Sequence, residues 1–109
     1  MLEALLGNST IEKVLLFVFQ YKEGYAKQIS DIFQIPVNGI QQQLSRLEEG
    51  GVFVSQKKGK TRIYMFNPAY VFLDELEKML EKAMNMLSPG EIQKYYRIRT
   101  RPRKKGKPL

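Results

Sequence analysis

Amide, hydroxyl and basic side chains are concentrated in one segment of the chain, residues 36–67. The first half of the segment carries Asn38, Gln41, Gln42, Gln43, Ser45 and Arg46. The second half carries Lys57, Lys58, Lys60, Thr61 and Arg62 around a glycine. Asn and Gln amides can bond the N6 and N7 edge of adenine in the major groove, and Lys and Arg pair with phosphates. These residue types therefore predict binding of nucleic acid.

The residue types needed for most catalytic and metal sites are missing. The chain of 109 residues has no cysteine and no histidine. Disulfides and thiolate metal sites are thereby excluded, and so are the usual general base and metal-binding imidazole. The carboxylate pairs Glu48-Glu49 and Asp74-Glu75 are better explained as charges on helix surfaces. We expect no enzyme activity, no metal and no cofactor.

Positive charge is concentrated at the end of the chain. Residues 1–93 hold ten Lys/Arg and eleven Asp/Glu, a net of −1, whereas residues 94–109 hold eight Lys/Arg and no acid, a net of +8. Basic tails bind polyanions, the alternative being a solubilising end. From Arg99 onward, prolines and bases predict disorder in residues 99–109.

The tail resembles an AT-hook, a short element that lies in the A·T minor groove. Its match is loose, because Gly106-Lys107-Pro108 has lysine where that motif has arginine. Nonspecific phosphate binding is therefore favoured over minor-groove insertion. The tail residues expected to contact DNA are Arg101, Arg103, Lys104, Lys105 and Lys107.

The apolar pattern that follows Ser9 predicts a helix with an unusually wide apolar face. Ser9 and Glu12 have the spacing of a capping box, which predicts a helix beginning near Ser9. Leu16, Phe17 and Phe19 widen its apolar face beyond what one small core needs. Either this helix is central, or a partner covers part of it.

Two further helices are predicted on either side of a tight turn. The first spans Ala26 to Phe33, and Pro36 prevents it from continuing. The second spans Val37 to Glu49 and ends at Gly50-Gly51. Its buried face is formed by Ile40, Leu44 and Leu47. Glu48 and Glu49 are expected to point away from bound phosphates.

Residues 52–55 and 62–66 alternate and are rich in β-forming residues, which predicts a hairpin. A polar-faced helix followed by a basic hairpin is typical of a winged helix-turn-helix. The predicted fold class is α+β, mostly α, with a two-stranded wing and a long C-terminal dimerisation helix.

The dimerisation helix is expected at residues 70–87. A seam at alternating spacings of three and four is expected to form the dimer interface, and it comprises Leu73, Leu76, Leu80, Ala83 and Leu87. Phe72, Met79 and Met86 recur beside it every seven residues. One stripe can cover the domain core while the other meets a second copy, the alternative being a monomer. The winged-helix domain then comprises residues 1–87, and a capping box at Ser88 predicts a short extra helix at residues 88–98.

The run from Ile40 to Val52, followed by Lys57-Lys58-Gly59-Lys60 and Tyr64, resembles ArsR-like winged-helix repressors. It is most similar to small winged-helix regulators whose domain also accompanies nucleotidyltransferases, and the resemblance covers about residues 8–87. It implies groove contacts by Gln41, Gln42 and Gln43, and wing contacts by Lys58, Lys60 and Arg62. Metal sensing is not implied, because cysteine and histidine are absent. The basic tail lies outside the family pattern.

The sequence thus predicts a homodimeric regulator of transcription that binds double-stranded DNA sequence-specifically. The alternative is a winged-helix module that binds a protein or RNA. The longest apolar run, residues 14–19, is far too short to span a bilayer, so no membrane association is expected. A cytoplasmic, nucleoid-associated location is expected.

Overall fold

The computed structural model describes residues 1–97. The tail residues assigned to DNA binding, and the predicted end of the extra helix at residue 98, lie outside this part. Its elements follow the order α1 (Glu3–Leu6), α2 (Ser9–Tyr21), α3 (Ala26–Phe33), α4 (Val37–Glu49), β1 (Phe53–Lys58), β2 (Thr61–Phe66), α5 (Leu73–Met86) and α6 (Pro89–Tyr95). A mostly helical α+β fold with a two-stranded antiparallel hairpin is confirmed. No helix within residues 1–97 is long and apolar enough to cross a bilayer.

The centre of the molecule is α2. Val14, Phe17 and Val18 have no exposed surface, and α4, α5 and β2 all pack against this helix. Its wide apolar face is thus explained by a central position. The predicted capping box is wrong in detail, because Asn8 caps the helix through its Oδ1, 2.8 Å from the backbone nitrogen of Ile11. The Glu12 carboxylate instead accepts a hydrogen bond from the backbone of Leu2 at 2.8 Å.

A tight turn joins α3 to α4, both of which have the predicted bounds. Gln34 lies in the left-handed region at φ 58°, which reverses the chain within one residue. The Ser30 hydroxyl donates to the Ile35 carbonyl at 2.5 Å, and Pro36 then opens α4. Because Ile40 and Leu44 are fully buried, the opposite side of α4 faces solvent.

The hairpin is longer than the sequence predicted. Its ladder runs from Phe53 paired with Phe66 to Lys58 paired with Thr61, so Lys57 and Lys58 belong to β1 rather than to a loop. The sequence pattern did not indicate these strand ends, because they carry charged residues and backbone pairing continues beyond the apolar part of the pattern. Along the edge of β2 that β1 does not pair with, the hairpin is tied to the α2–α3 connection by reciprocal backbone bonds of 3.0 and 2.8 Å between Gly24 and Tyr64.

The last two helices complete the core. Leu80 and Ala83 of α5 are 0% and 3% exposed within a single chain, so the chain's own core already covers these two side chains. Beyond α5, the Tyr95 ring stacks on Phe33 with centroids 4.9 Å apart, and Tyr96 is 3% exposed. Thus α6 packs on the same core as the preceding helices.

Candidate nucleic-acid interface

The exposed side of α4 has two rows of polar side chains that face different directions. Successive helix residues are about 100° apart, so Asn38 and Gln42 lie about 150° and 170° from the buried direction, at the crest of the helix. By the same geometry, Gln41 and Ser45 lie about 90° and 130° from that direction. This second row is turned toward the hairpin and lines the space between the two elements, whereas Asn38 and Gln42 do not line it.

A groove of about 550 Å³ separates this second row from the hairpin. Its walls come from the start of α3, from α4 and from β2. It is lined by Tyr25, Ala26, Lys27, Gln41, Ser45, Lys60, Thr61, Arg62 and Tyr64. The fold therefore brings together predicted interface residues from α4 and the hairpin tip.

The start of α3 and the middle of β2 also contribute to the groove, although the sequence pattern did not indicate it. Tyr25 and Lys27 were not assigned to the interface, and Tyr64 was noted only as part of the family resemblance. These residues reach the groove because the backbone of Tyr64 pairs with Gly24, next to the start of α3. No local sequence signal marks that pairing.

The lysines of the hairpin are free to bind anions. Lys57, Lys58 and Lys60 are exposed and make no ion pair with a carboxylate within residues 1–97. Lys27, on α3, is different, because its amine lies 2.9 Å from Oδ1 of Asp31. These three hairpin cations are thus available to phosphates, and Lys60 also lines the groove.

Arg62 is held by a hydrogen-bonded chain that joins α4 to both strands. Its Nη1 donates to the Ser55 hydroxyl at 2.9 Å, and that hydroxyl donates to the Glu48 carboxylate at 2.6 Å. Glu48 therefore lies on the hairpin side of α4, and the expectation that it points away from bound phosphates stays a prediction. Partial burial of Tyr64 raises the pKa of its hydroxyl, the negative charge of Glu48 adds to this effect, and the positive charge of Arg62 opposes it.

Two predicted contact residues lie elsewhere on α4. Gln43 is half-buried, and its side-chain oxygen is enclosed by protein without a hydrogen-bond partner among residues 1–97. Arg46 is exposed on the side of α4 away from the hairpin, and its guanidinium lies beside Gly7. These positions separate both residues from the groove.

The described residues offer no evident metal centre. Within residues 1–97, no cluster of three or more Asp, Glu, His or Cys side chains could hold a metal ion. The chemistry of the groove is therefore hydrogen bonding by amides and hydroxyls beside fixed positive charge.

An α3–turn–α4 unit followed directly by a basic hairpin defines a winged helix-turn-helix. No protein-family profile matches the chain, and no curated protein sequence matches it. Several solved structures do. Reduced HlyU from Vibrio cholerae is similar with a TM-score of 0.61 and 18% identity, over 78% of this chain and 83% of that chain.

Two other solved structures are similar over comparable lengths. An apo mutant of ZitR from Lactococcus lactis has a TM-score of 0.55 and 17% identity, over 78% of this chain and 72% of that chain. The adhesin competence repressor AdcR from Streptococcus pyogenes has a TM-score of 0.55 and 12% identity, over 84% of this chain and 78% of that chain. At these identities the likeness shows a shared fold.

Proposed function

We propose that this protein is a dimeric transcriptional regulator that binds double-stranded DNA sequence-specifically. The observation that carries the proposal is the groove in which the amide-bearing side of α4 faces the basic hairpin. In this arrangement α4 enters the major groove, and the wing formed by residues 52–66 follows the backbone or the minor groove. The fold shared with AdcR, a repressor by its name, supports this class of function.

The wing and the tail supply most of the attraction to phosphate. On the hairpin, Lys57, Lys58 and Lys60 make no ion pair with residues 1–97. Five of the eight cations of residues 94–109 belong to the tail residues Arg101, Arg103, Lys104, Lys105 and Lys107. Contacts of this kind fix the position of a protein on DNA without reading sequence. Sequence choice then falls to the neutral amides of α4.

Dimerisation would place two copies of α4 on one DNA duplex. The exposed stripe of α5, with Phe72 and Met86 at its ends, is the surface proposed to meet the second copy. A two-fold dimer binds a pseudo-palindromic site, so each copy reads one half-site. The sequence resemblance favours an ArsR-like regulator. We propose that it binds no metal and acts in the cytoplasm on the nucleoid.

The dependence of DNA affinity on salt concentration tests whether the cations of the protein pair with phosphates. The logarithm of the affinity for duplex DNA should fall linearly with the logarithm of salt concentration, with a slope of about −0.9 per neutralised phosphate. Lys58→Ala and Lys60→Ala should each make this slope shallower, because each removes one cation of the wing. Lys82→Ala is the matched control, since this exposed lysine lies on α5, and it should leave the slope unchanged.

Removal of residues 99–109 should weaken binding to all duplexes alike and should also reduce the slope. Loss of binding to A·T-rich duplexes alone would instead support minor-groove insertion by the tail. A full-length protein whose affinity for duplex DNA does not depend on salt would contradict the proposed function. That result would favour the alternative, a winged-helix module for a protein or RNA partner.

A further inference from the structure

The two exposed rows of α4 lie in different surroundings. Gln41 and Ser45 border the groove beside the wing, whereas Asn38 and Gln42 lie at the crest of the helix and outside that groove. Side chains with identical chemistry, such as those of Gln41 and Gln42, therefore meet different parts of any duplex that α4 enters. The residues on either side of the groove indicate which parts.

When α4 lies in the major groove of DNA and the wing lies along the minor groove, the protein groove between α4 and the wing has a specific occupant. The two grooves of a duplex are separated by one sugar–phosphate strand, so the space between α4 and the wing is where that strand passes. Its lining matches the chemistry of a phosphodiester, with the hydroxyl-bearing Tyr25, Thr61 and Tyr64 and the cations Lys27, Lys60 and Arg62. No carboxylate is among the residues that line it.

Two acidic groups close to the groove residues are already engaged. Asp31 is paired with Lys27, and Glu48 accepts a hydrogen bond from Ser55. Because Lys27 is balanced by Asp31, the positive charge of the groove comes from Lys60 and Arg62, beside the hydroxyl donors of its walls. A backbone strand that enters along this lining therefore contacts no carboxylate among the residues that form it.

The crest of α4 has the properties of a base-reading surface. Asn38 and Gln42 are one helical turn apart, both are exposed, and neither amide makes a hydrogen bond with the described residues. Both lie in the N-terminal half of the helix, the part of a recognition helix that contacts base edges. A bidentate amide at either position can select adenine.

We infer that the two exposed rows of α4 have different roles in binding DNA. Asn38 and Gln42 read base edges, while Gln41 and Ser45 belong to a seat for one sugar–phosphate strand that Tyr25, Lys27 and Lys60 complete. This division rests on the proposed function, because it assumes that α4 enters the major groove. It also departs from the family resemblance, which assigns groove contacts to Gln41, Gln42 and Gln43 alike.

Neighbouring glutamines provide a matched test. Gln41→Glu and Gln42→Glu introduce the same charge and shape on adjacent exposed positions, and dissociation constants are measured at fixed salt for the preferred duplex, its single-base variants and a scrambled duplex. Gln42→Glu should shift preference at one position from adenine toward cytosine, whose N4 amine donates to a carboxylate. Gln41→Glu should weaken binding to every duplex by the same factor, because its carboxylate meets phosphates.

Alanine variants and the opposite wall of the groove give a second measurement. Gln42→Ala should lose roughly 5- to 100-fold of the discrimination at one base pair. Affinity should fall without a change of base preference in each of three variants, Gln41→Ala, Tyr25→Phe and Lys27→Ala. These variants test the inference even when Gln41→Glu alters the melting temperature of the protein.

The outcomes separate this inference from the function on which it rests. A changed base preference in Gln41→Glu, together with an unchanged one in Gln42→Glu, would overturn the division while leaving a sequence-specific regulator intact. Wild-type protein that binds the preferred and scrambled duplexes equally would overturn both, and that result is visible before any variant is made. Uniform loss in Gln41→Glu with altered preference in Gln42→Glu is the result we expect.

Discussion

Gly24 has no side chain, and the space beside its Cα is filled by neighbouring rings and methyl groups. A Cβ at this position would lie 2.9 Å from Cε1 of Phe17 and 3.2 Å from Cδ1 of Ile29, both of which are fully buried. The backbone of Gly24 meanwhile exchanges two hydrogen bonds with Tyr64. This close approach ties the base of the hairpin to the core and so fixes the wing relative to α3 and α4.

Gly24→Ala should lower the free energy of unfolding by about 1–3 kcal/mol, because a methyl group there must displace core side chains. Denaturant unfolding measures the change. Gly50→Ala is the matched control, since Gly50 has φ −79° and its added Cβ would have an ordinary contact of 3.4 Å with the Arg46 carbonyl. Its effect should stay within roughly 1 kcal/mol. Equal losses in the two variants would show that the space beside Gly24 does not constrain the fold.

Single residues of the interface also show where sequence patterns are insufficient. The amides of α4 and the cations of the wing could be predicted, because each belongs to an element with a clear boundary. The direction of Glu48 could not, because it depends on where Ser55 of the neighbouring strand lies. Tyr25 and Lys27 were missed for the same reason, since their approach to the groove depends on the pairing of Gly24 with Tyr64.

At the scale of elements, α5 has two apolar faces with different surroundings. Leu80 and Ala83 are buried in the chain's own core, and Leu76 and Leu87 pack against it. Phe72 and Met86, by contrast, are 59% and 67% exposed. The proposed contact with a second copy therefore rests on the stripe that contains Phe72 and Met86, because the core already covers most of the leucine seam.

Replacement of both Phe72 and Met86 by glutamate should convert the proposed dimer into a monomer, because two charges would be buried at the contact. Sedimentation equilibrium measures the association, and denaturant unfolding of the monomer should be nearly unchanged because neither side chain contributes to the core. Leu80→Ala is the control, with an expected loss of stability of about 2–5 kcal/mol. Wild-type protein that is monomeric at every concentration, or a double variant that remains dimeric, would contradict the proposed surface.

Element boundaries could be predicted where a strong local signal stops the chain. The bounds of α4 match the prediction, because Pro36 marks its start and the pair Gly50-Gly51 marks its end. The start of α5 lies at Leu73 instead of residue 70, because the Asn67 side chain and backbone hold a turn over the intervening residues. The four residues of α1 are too few to produce a helical pattern, so this element was not predicted.

At the scale of the whole molecule, we propose that attraction to DNA and choice of DNA sequence belong to separate regions of the chain. Residues 1–93 carry a net charge of −1, and the remaining residues carry +8. The wing concentrates cations on one side of a nearly neutral domain, and the crest of α4 presents uncharged amides. Affinity that depends on salt and preference that depends on sequence should therefore respond to different substitutions.

Selection from a library of random DNA duplexes, with the full-length chain at near-physiological salt, tests the central proposal most directly. A sequence-specific dimer should enrich a pseudo-palindromic site whose two half-sites are about one helical turn, roughly 10 base pairs, apart. Enrichment of such a site is the result the proposal predicts. Bound DNA that remains as random as the starting library, or no retention of duplex DNA, would contradict it.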